Sequence, residues 1–153
     1  MKKIVVFCSV FLLIAGIGIA AQSEALRNLQ TLMSNTQRNP QFQGFRMIGQ
    51  PKTWSMRKME QRSFQYNLNT VGQRVIFMAS GDNNSFDIDM YVYDQDGVLV
   101  GQDQTTPSYQ GGPGTDCGVF LNILRTGTYT VKVDLYSAIE GVNVDMAMAY
   151  GTY

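Results

Sequence analysis

The feature that most constrains this chain is an alternation of apolar and polar residues that begins near residue 62. Phe64, Tyr66 and Leu68 are separated by polar neighbours. The same spacing returns in three later segments, at residues 87–93, 128–135 and 142–148. Successive side chains of a β-strand point to opposite faces, so a period of two indicates strands with one buried face. Several such strands predict a mainly β protein, an antiparallel β-sandwich of jelly-roll-like form.

Two further strands and two connections complete this pattern. Apolar residues predict strands at residues 75–79 and 117–122. Residues 94–97 read DQDG and predict a tight hairpin, because aspartate and glycine tolerate the left-handed backbone that short turns require. A loop rich in glycine and proline is predicted at residues 105–114.

Three of these segments together resemble the bacterial pre-peptidase C-terminal (PPC) domain family, a β-sandwich appended to secreted peptidases and other exported proteins. They read QRVIFMASGD at residues 73–82, FDIDMYVYDQDGVLV at residues 86–100 and RTGTYTVKV at residues 125–133. The resemblance covers residues 62–153 and implies a non-catalytic module, so it transfers no catalytic residue. Only a short segment precedes the matched part in this sequence, so we expect the module to act alone or in trans.

The beginning of the sequence predicts export. Two lysines precede an apolar run of sixteen residues at 4–19, and small residues follow it, which is the order of a secretory signal peptide. The run is shorter than the roughly 20 residues of a spanning helix, so no integral membrane segment is expected after cleavage. Cleavage after Ala21 and after Ala25 both meet the small-residue requirement. We assign residues 1–21 to the signal peptide and expect a periplasmic or secreted protein.

Residues 22–61 are interpreted as a helix followed by a basic extended segment. Four apolar residues at helical spacing, Leu26, Leu29, Leu32 and Met33, predict a one-faced helix at residues 23–35. So short a helix is marginal alone, and we expect it to dock on the sandwich or on a partner.

Charge divides the chain into two halves of opposite sign. Residues 22–75 carry eight basic and two acidic side chains, and residues 76–153 carry two basic and ten acidic ones. This distribution favours contact between the basic segment and the acidic sandwich, and the alternative is that the basic segment faces an anionic surface of its own. The basic residues follow no nucleic-acid-binding motif, so no nucleic-acid partner is expected.

Composition excludes several common chemistries. The sequence has no histidine, which removes Ser/His/Asp and Cys/His catalytic pairs and zinc sites that use histidine. After loss of the signal peptide, Cys117 is the only cysteine, so no disulfide is expected within one chain. We expect no enzyme, no catalytic residue and no cofactor-binding residue.

Six aspartates between residues 82 and 103 are candidates for an oxygen-rich cation site. Asp94, Asp96 and Asp103 are the candidate calcium ligands, and calcium is the one candidate cofactor. The alternative is that these aspartates are turn and surface residues. Asp87 and Asp89 share one strand face, and a carboxylate pair of this kind is the basis for an alternative hydrolase function on an extracellular polymer.

Aromatic residues provide a second candidate surface. Tyr91 and Tyr93 are expected to point outward from the same strand as the aspartates, where tyrosine rings can stack on a sugar or a peptide. Cross-strand packing is the alternative role for these tyrosines. Trp54 is either a contact with a partner or the anchor that holds the basic segment on the sandwich.

These observations predict an exported, non-catalytic binding or structural module, with a protein or glycan partner outside the cytoplasm. The first alternative is a subunit of a periplasmic or cell-surface assembly that docks through the N-terminal segment. The second is the carboxylate-based hydrolase. The ligand and the oligomeric state do not follow from the residues.

Overall fold

The computed structural model describes residues 24–104 and 116–153. The predicted signal peptide and the loop predicted at residues 105–114 lie outside the described residues. Helix α1 occupies residues 24–38 and confirms the predicted helix, and a short 3-10 turn follows at Pro40–Phe42. The strands in this part of the chain are β1 (Arg46–Met47), β2 (Lys52–Met56), β3 (Gln61–Leu68), β4 (Arg74–Gly81), β5 (Ser85–Tyr93), β6 (Leu99–Asp103), β7 (Asp116–Asn122), β8 (Gly127–Ala138) and β9 (Val144–Thr152).

The strands form two antiparallel sheets. Sheet A has the order β1-β9-β4-β7, and β2 also pairs with β9, on the half of β9 nearer its start. Sheet B has the order β3-β8-β5-β6. The predicted antiparallel β-sandwich is therefore confirmed.

The inner faces of the two sheets enclose one apolar core, as the alternation predicts. On β8 the residues Val131, Val133 and Leu135 are fully buried, while the residues between them are half-buried on the other face. Phe77 of β4 is also fully buried, and its ring centroid lies 5.1 Å from that of Tyr66. Apolar side chains of both sheets are thus buried in one core, and this burial of apolar surface is the main favourable contribution to folding.

Helix α1 packs on the outer face of sheet A. Leu29 is fully buried there, against Ile76 of β4 and Ala147 of β9, in a second apolar cluster separate from the core. The Asn28 side chain also donates a hydrogen bond of 2.9 Å to the carbonyl of Gly81. The apolar face predicted for α1 thus docks on the sandwich of the same chain.

The basic segment contributes strands to sheet A. Residues of β2 pair with β9 from Lys52 opposite Met148 to Met56 opposite Val144. Beyond β2, the Lys58 ammonium lies 3.0 Å from the Glu140 carboxylate, an ion pair between the basic and the acidic half. The domain boundary at residue 62 stays a prediction.

The hairpin between β5 and β6 is confirmed. The Asp94 carboxylate accepts hydrogen bonds from the backbone of Asp96 (3.0 Å) and Val98 (2.9 Å), and Gly97 has a φ of 76°. Aspartate at this position usually accepts hydrogen bonds from the backbone of its own turn. Within the described residues, no helical segment has the length and hydropathy that a membrane crossing requires.

Candidate functional site

Within the described residues, the outer face of sheet B is an open polar surface of the sandwich. In residues 24–104 and 116–153, no helix or strand packs on it, whereas α1 covers the corresponding face of sheet A. Its side chains come from alternate positions of three adjacent strands, Gln61, Ser63, Gln65 and Asn67 of β3, Thr128, Thr130, Lys132, Asp134 and Tyr136 of β8, and Asp89, Tyr91 and Tyr93 of β5.

Strand register arranges this face in rows that run across the strands. Gln65 of β3, Thr130 of β8 and Tyr93 of β5 form one row. The next row contains Lys132 opposite Tyr91. Directly opposite residues on neighbouring antiparallel strands lie close enough for their side chains to interact. The face therefore changes character from row to row, from a neutral end near the β5–β6 turn to an acidic end.

Tyr91 is held by its neighbours. Its hydroxyl donates to the Asp89 carboxylate at 3.3 Å and accepts a hydrogen bond of 2.8 Å from the Gln104 side chain. The Lys132 ammonium lies 4.6 Å from the centroid of the Tyr91 ring, a cation–π contact. The same ammonium lies 3.1 Å from the Asp134 carboxylate. The ring of Tyr91 is thus already engaged within the protein.

Tyr93 instead borders a groove at the neutral end of the face. The groove has a cavity volume of about 590 Å³. Its lining residues come from β3, the β5–β6 hairpin and β8, and they are Gln65, Tyr93, Asp94, Gln95, Gly97, Thr128 and Thr130. The groove is open to solvent over much of its surface. The two tyrosines that the sequence pairs as one platform are therefore different, and Tyr93 is the one that faces the groove.

The acidic end of the face gathers carboxylates from two strands. Asp89 of β5 lies directly opposite Asp134 of β8. Desolvation by burial raises the pKa of Asp89, the negative charge of Asp87 raises it further, and the hydrogen bond from Tyr91 opposes the increase. Burial also raises the pKa of Asp87. The charged form of both groups is thus disfavoured in the folded protein.

Replacing Asp89 by asparagine is expected to stabilise the protein at pH 7. A raised pKa in the folded state means that stability falls as the pH rises from the unfolded value of 3.8, and the loss is complete at neutral pH. The gain should be up to about 1 kcal/mol, the scale of partly exposed charge interactions. It should disappear below about pH 3, where the aspartate is protonated in both states.

Thermal unfolding midpoints at pH 7 and pH 3 measure this effect. Asp96→Asn is the matched control, because Asp96 forms an ion pair of 2.6 Å with Arg125 and its loss should bring no gain. A gain in Asp89→Asn that persists at pH 3 would show that charge is not its cause.

The three candidate calcium ligands have separate protein partners. Asp94 accepts hydrogen bonds within its own turn, and Asp96 pairs with Arg125. Asp103 accepts a hydrogen bond of 2.8 Å from the backbone of Gly118 on β7. Among the described residues, no three Cys, Asp or Glu side chains are grouped so that they could hold a metal ion. Calcium binding stays a prediction.

Asp82, the first of the six aspartates, serves as a buried structural link. It is 3% exposed. Its two carboxylate oxygens accept hydrogen bonds from the backbone of Asn84 (2.9 Å) and of Asp145 (3.0 Å), which join the β4–β5 turn to β9. A buried carboxylate is tolerated because backbone donors satisfy both of its oxygens.

Trp54 and Cys117 both lie in the core. The Trp54 ring centroid lies 4.8 Å from that of Phe64, and its indole donates to the sulfur of Met56 at 3.2 Å. This position makes Trp54 an anchor of β2, away from the outer face of sheet B. Cys117 is free and buried, and burial raises the pKa of its thiol well above the usual value. A neutral buried thiol is a poor nucleophile.

A second, smaller cavity lies on the other side of the β5–β6 turn. Its volume is about 310 Å³, and its walls come from β6, β7 and the β7–β8 connection. Phe120 and Leu124 provide exposed apolar surface at this position, and the Tyr129 hydroxyl donates to the carbonyl of Arg125 at 2.7 Å. Asp94 lines both cavities.

Sequence analysis did not identify the polar residues of the groove. Gln65, Thr128 and Thr130 occur there as the exposed half of an alternating pattern, and such residues are common on any half-buried sheet. Gln95 belongs to the turn motif, and that motif predicts only the hairpin. Their grouping depends on the pairing of β3 with β8, which no local pattern in the sequence specifies.

Comparisons with known proteins identify no family. No protein-family profile and no curated protein match the chain. A Stig cyclase from Fischerella sp. TAU is similar at 9% identity and a TM-score of 0.43, over 61% of this chain and 55% of the cyclase. The periplasmic g-type lysozyme inhibitor PliG of Aeromonas hydrophila is similar at 14% identity and a TM-score of 0.46, over 72% of this chain and 89% of the inhibitor.

A PPC domain is also among the similar structures. It belongs to the collagenase of Bacillus anthracis, with 10% identity and a TM-score of 0.42, over 67% of this chain and 90% of that domain. Membership of that family stays a prediction from the three sequence segments.

Proposed function

We propose that this chain is an exported, non-catalytic binding module whose ligand-binding surface is the outer face of sheet B. The observation that carries the proposal is the unequal covering of the two sheets. Helix α1 buries the outer face of sheet A through Leu29 and its neighbours, whereas the polar and aromatic face of sheet B stays open in the described chain.

The side chains of this face support binding rather than packing. The row of Gln65, Thr130 and Tyr93 offers amide, hydroxyl and aromatic groups beside a groove of about 590 Å³. Within the part of the chain that the structure describes, these three side chains make no hydrogen bond to a protein group. They can therefore bind a ligand without first breaking a bond inside the protein.

The absence of histidine from the sequence supports the non-catalytic part of the proposal, since the common hydrolytic triads need an imidazole. Export is supported by the charged, apolar and small-residue order of residues 1–25. The alternative role in an assembly would have to use other parts of the N-terminal segment, because Leu29 is buried on sheet A and Leu26, Leu32 and Met33 are partly buried there.

A variant that blocks the face tests the proposal on a panel of polymers. The chain from residue 22 is run in four native gels, which contain a neutral glucan, xylan, mannan and gelatin respectively. We expect at least one polymer to retard the chain, and Thr130→Arg to abolish the retardation, because a bulky cation then stands in the centre of the neutral row.

Thr31→Arg on the exposed side of α1 is the matched control and should be retarded like the unchanged chain. Equal retardation of Thr130→Arg, or no retardation by any polymer, would contradict the proposal. The release of new chain ends from a retarding polymer, lost in Asp89→Asn, would instead favour the hydrolase.

A further inference from the structure

We propose that the groove beside Tyr93 binds a neutral oligosaccharide segment. This inference rests on the proposed function and adds the chemical class of the ligand. It depends on four properties of the groove. These are its charge, the order of side chains in its central row, the hydrogen bonding of the backbone beneath it and the position of Gln95.

The charge of the groove selects against ionic ligands. Among the described residues that line it there is no lysine or arginine, and Lys132 of the adjacent row is already paired with Asp134 at 3.1 Å. The lining itself therefore offers no cation to a phosphate, sulfate or carboxylate. The one acidic side chain, Asp94, already accepts two backbone hydrogen bonds through one carboxylate oxygen. A ligand without charge is therefore the best match.

The central row combines the two kinds of contact that a sugar ring offers. Tyr93 lies next to Thr130, and Thr130 lies next to Gln65, on three adjacent strands. Two strand spacings make this row about 10 Å long. An aromatic ring packs against the C–H face of a sugar, while amide and hydroxyl groups donate to and accept from its hydroxyls.

The backbone beneath the groove does not favour a peptide ligand. An extended peptide gains most of its affinity by pairing with an unpaired sheet edge. The groove lies on the face of β8, a central strand that pairs with β3 from residue 127 to 134 and with β5 from residue 130 onward. At Thr130 a ligand therefore meets side chains, and sugars bind well in that way.

Gly127 makes room for Gln95 at the margin of the groove. A Cβ at residue 127 would stand 2.1 Å from the Gln95 side-chain oxygen, and the φ of 153° disfavours other residues as well. Glycine in the TGTY segment thus lets an uncharged amide lie close to the start of β8. Gln95 becomes a fourth uncharged hydrogen-bonding group of the groove, with Gln65, Thr128 and Thr130.

Calorimetric titration with tetra- to hexasaccharides of glucose, xylose and mannose tests the inference on the chain from residue 22. We expect one series to bind, and Tyr93→Ala to weaken that binding at least about tenfold through loss of the stacked ring. Tyr93→Phe keeps the ring and should stay within about threefold of the unchanged chain. Thr130→Val removes one hydrogen-bonding group and should cost about fivefold.

Phe86→Ala is the matched control. Phe86 is an exposed aromatic residue near the start of β5, seven residues before Tyr93 and at the opposite end of that strand, so its loss should leave sugar binding unchanged. Equal losses in Phe86→Ala and Tyr93→Ala would overturn the assignment of the groove. Unfolding midpoints of all variants show whether a loss of binding reflects a loss of folding.

Failure of this inference can be separated from failure of the proposed function. If gelatin retards the chain in a manner sensitive to Thr130→Arg while no neutral sugar binds, the face is a binding surface and the ligand class is wrong. If neither the polymers nor the sugars bind, both proposals are wrong.

Discussion

Replacing Phe77 by alanine is expected to lower the free energy of unfolding by about 3–5 kcal/mol. Phe77 is fully buried between the sheets, and its ring centroid lies 5.1 Å from that of Tyr66 and 5.6 Å from that of Tyr150. Truncation removes the ring from the core and leaves a cavity among rings that cannot fully collapse into it. A loss of this size is a large part of the total stability of a typical domain, about 5–15 kcal/mol.

Urea unfolding followed by circular dichroism measures the loss. Phe77→Leu is the matched control, because it keeps most of the apolar volume and should cost clearly less than the alanine variant. If the two variants were equally stable, the ring contacts with Tyr66 and Tyr150 would not be what stabilises this part of the core.

Replacing Leu29 by alanine is expected to cost about 2–5 kcal/mol, the second large effect. Leu29 is fully buried between α1 and sheet A, with Ile76, Met78 and Ala149 in the same cluster. Alanine favours the helix more than leucine does, so a loss of stability must come from packing on the sheet and not from the helix itself.

Gln30→Ala on the exposed side of α1 is the matched control and should be neutral or slightly stabilising. Urea unfolding of both variants, followed by the circular dichroism of the β-sheets, measures the loss of stability. If Leu29→Ala left the unfolding of the sheets unchanged, α1 would be an independent appendage, and its apolar face would be available to a partner.

These two residues show how differently the two buried surfaces can be predicted. The core between the sheets follows from period-two alternation, as in β8, where the apolar residues from Tyr129 to Leu135 all face inward. The cluster under α1 involves Ile76 and Met78, which make β4 apolar on both faces. The sequence predicts that β4 is a continuous apolar strand, but it does not specify which element covers the second face of that strand.

The arrangement of side chains on the outer face of sheet B also could not be predicted from local patterns in the sequence. Tyr91 and Tyr93 are two residues apart on one strand, and the sequence treats them alike. Register places Lys132 against Tyr91 and Thr130 against Tyr93, so the first ring is engaged by a cation and the second borders a groove. Which residue faces which across strands depends on pairing between distant segments.

The sandwich class, the hairpin at Asp94–Gly97 and the short N-terminal helix follow from the sequence, because each depends on local periodicity or on turn chemistry. Three other arrangements are visible in the folded protein alone: α1 covers sheet A, Asp82 links the β4–β5 turn to β9, and Gln65, Thr130 and Tyr93 form one row. These arrangements join segments far apart in the chain. They depend on which surfaces of the chain can be buried against each other while each buried polar group keeps a hydrogen-bond partner. Many surfaces compete for burial in this way, so the outcome depends on the whole fold.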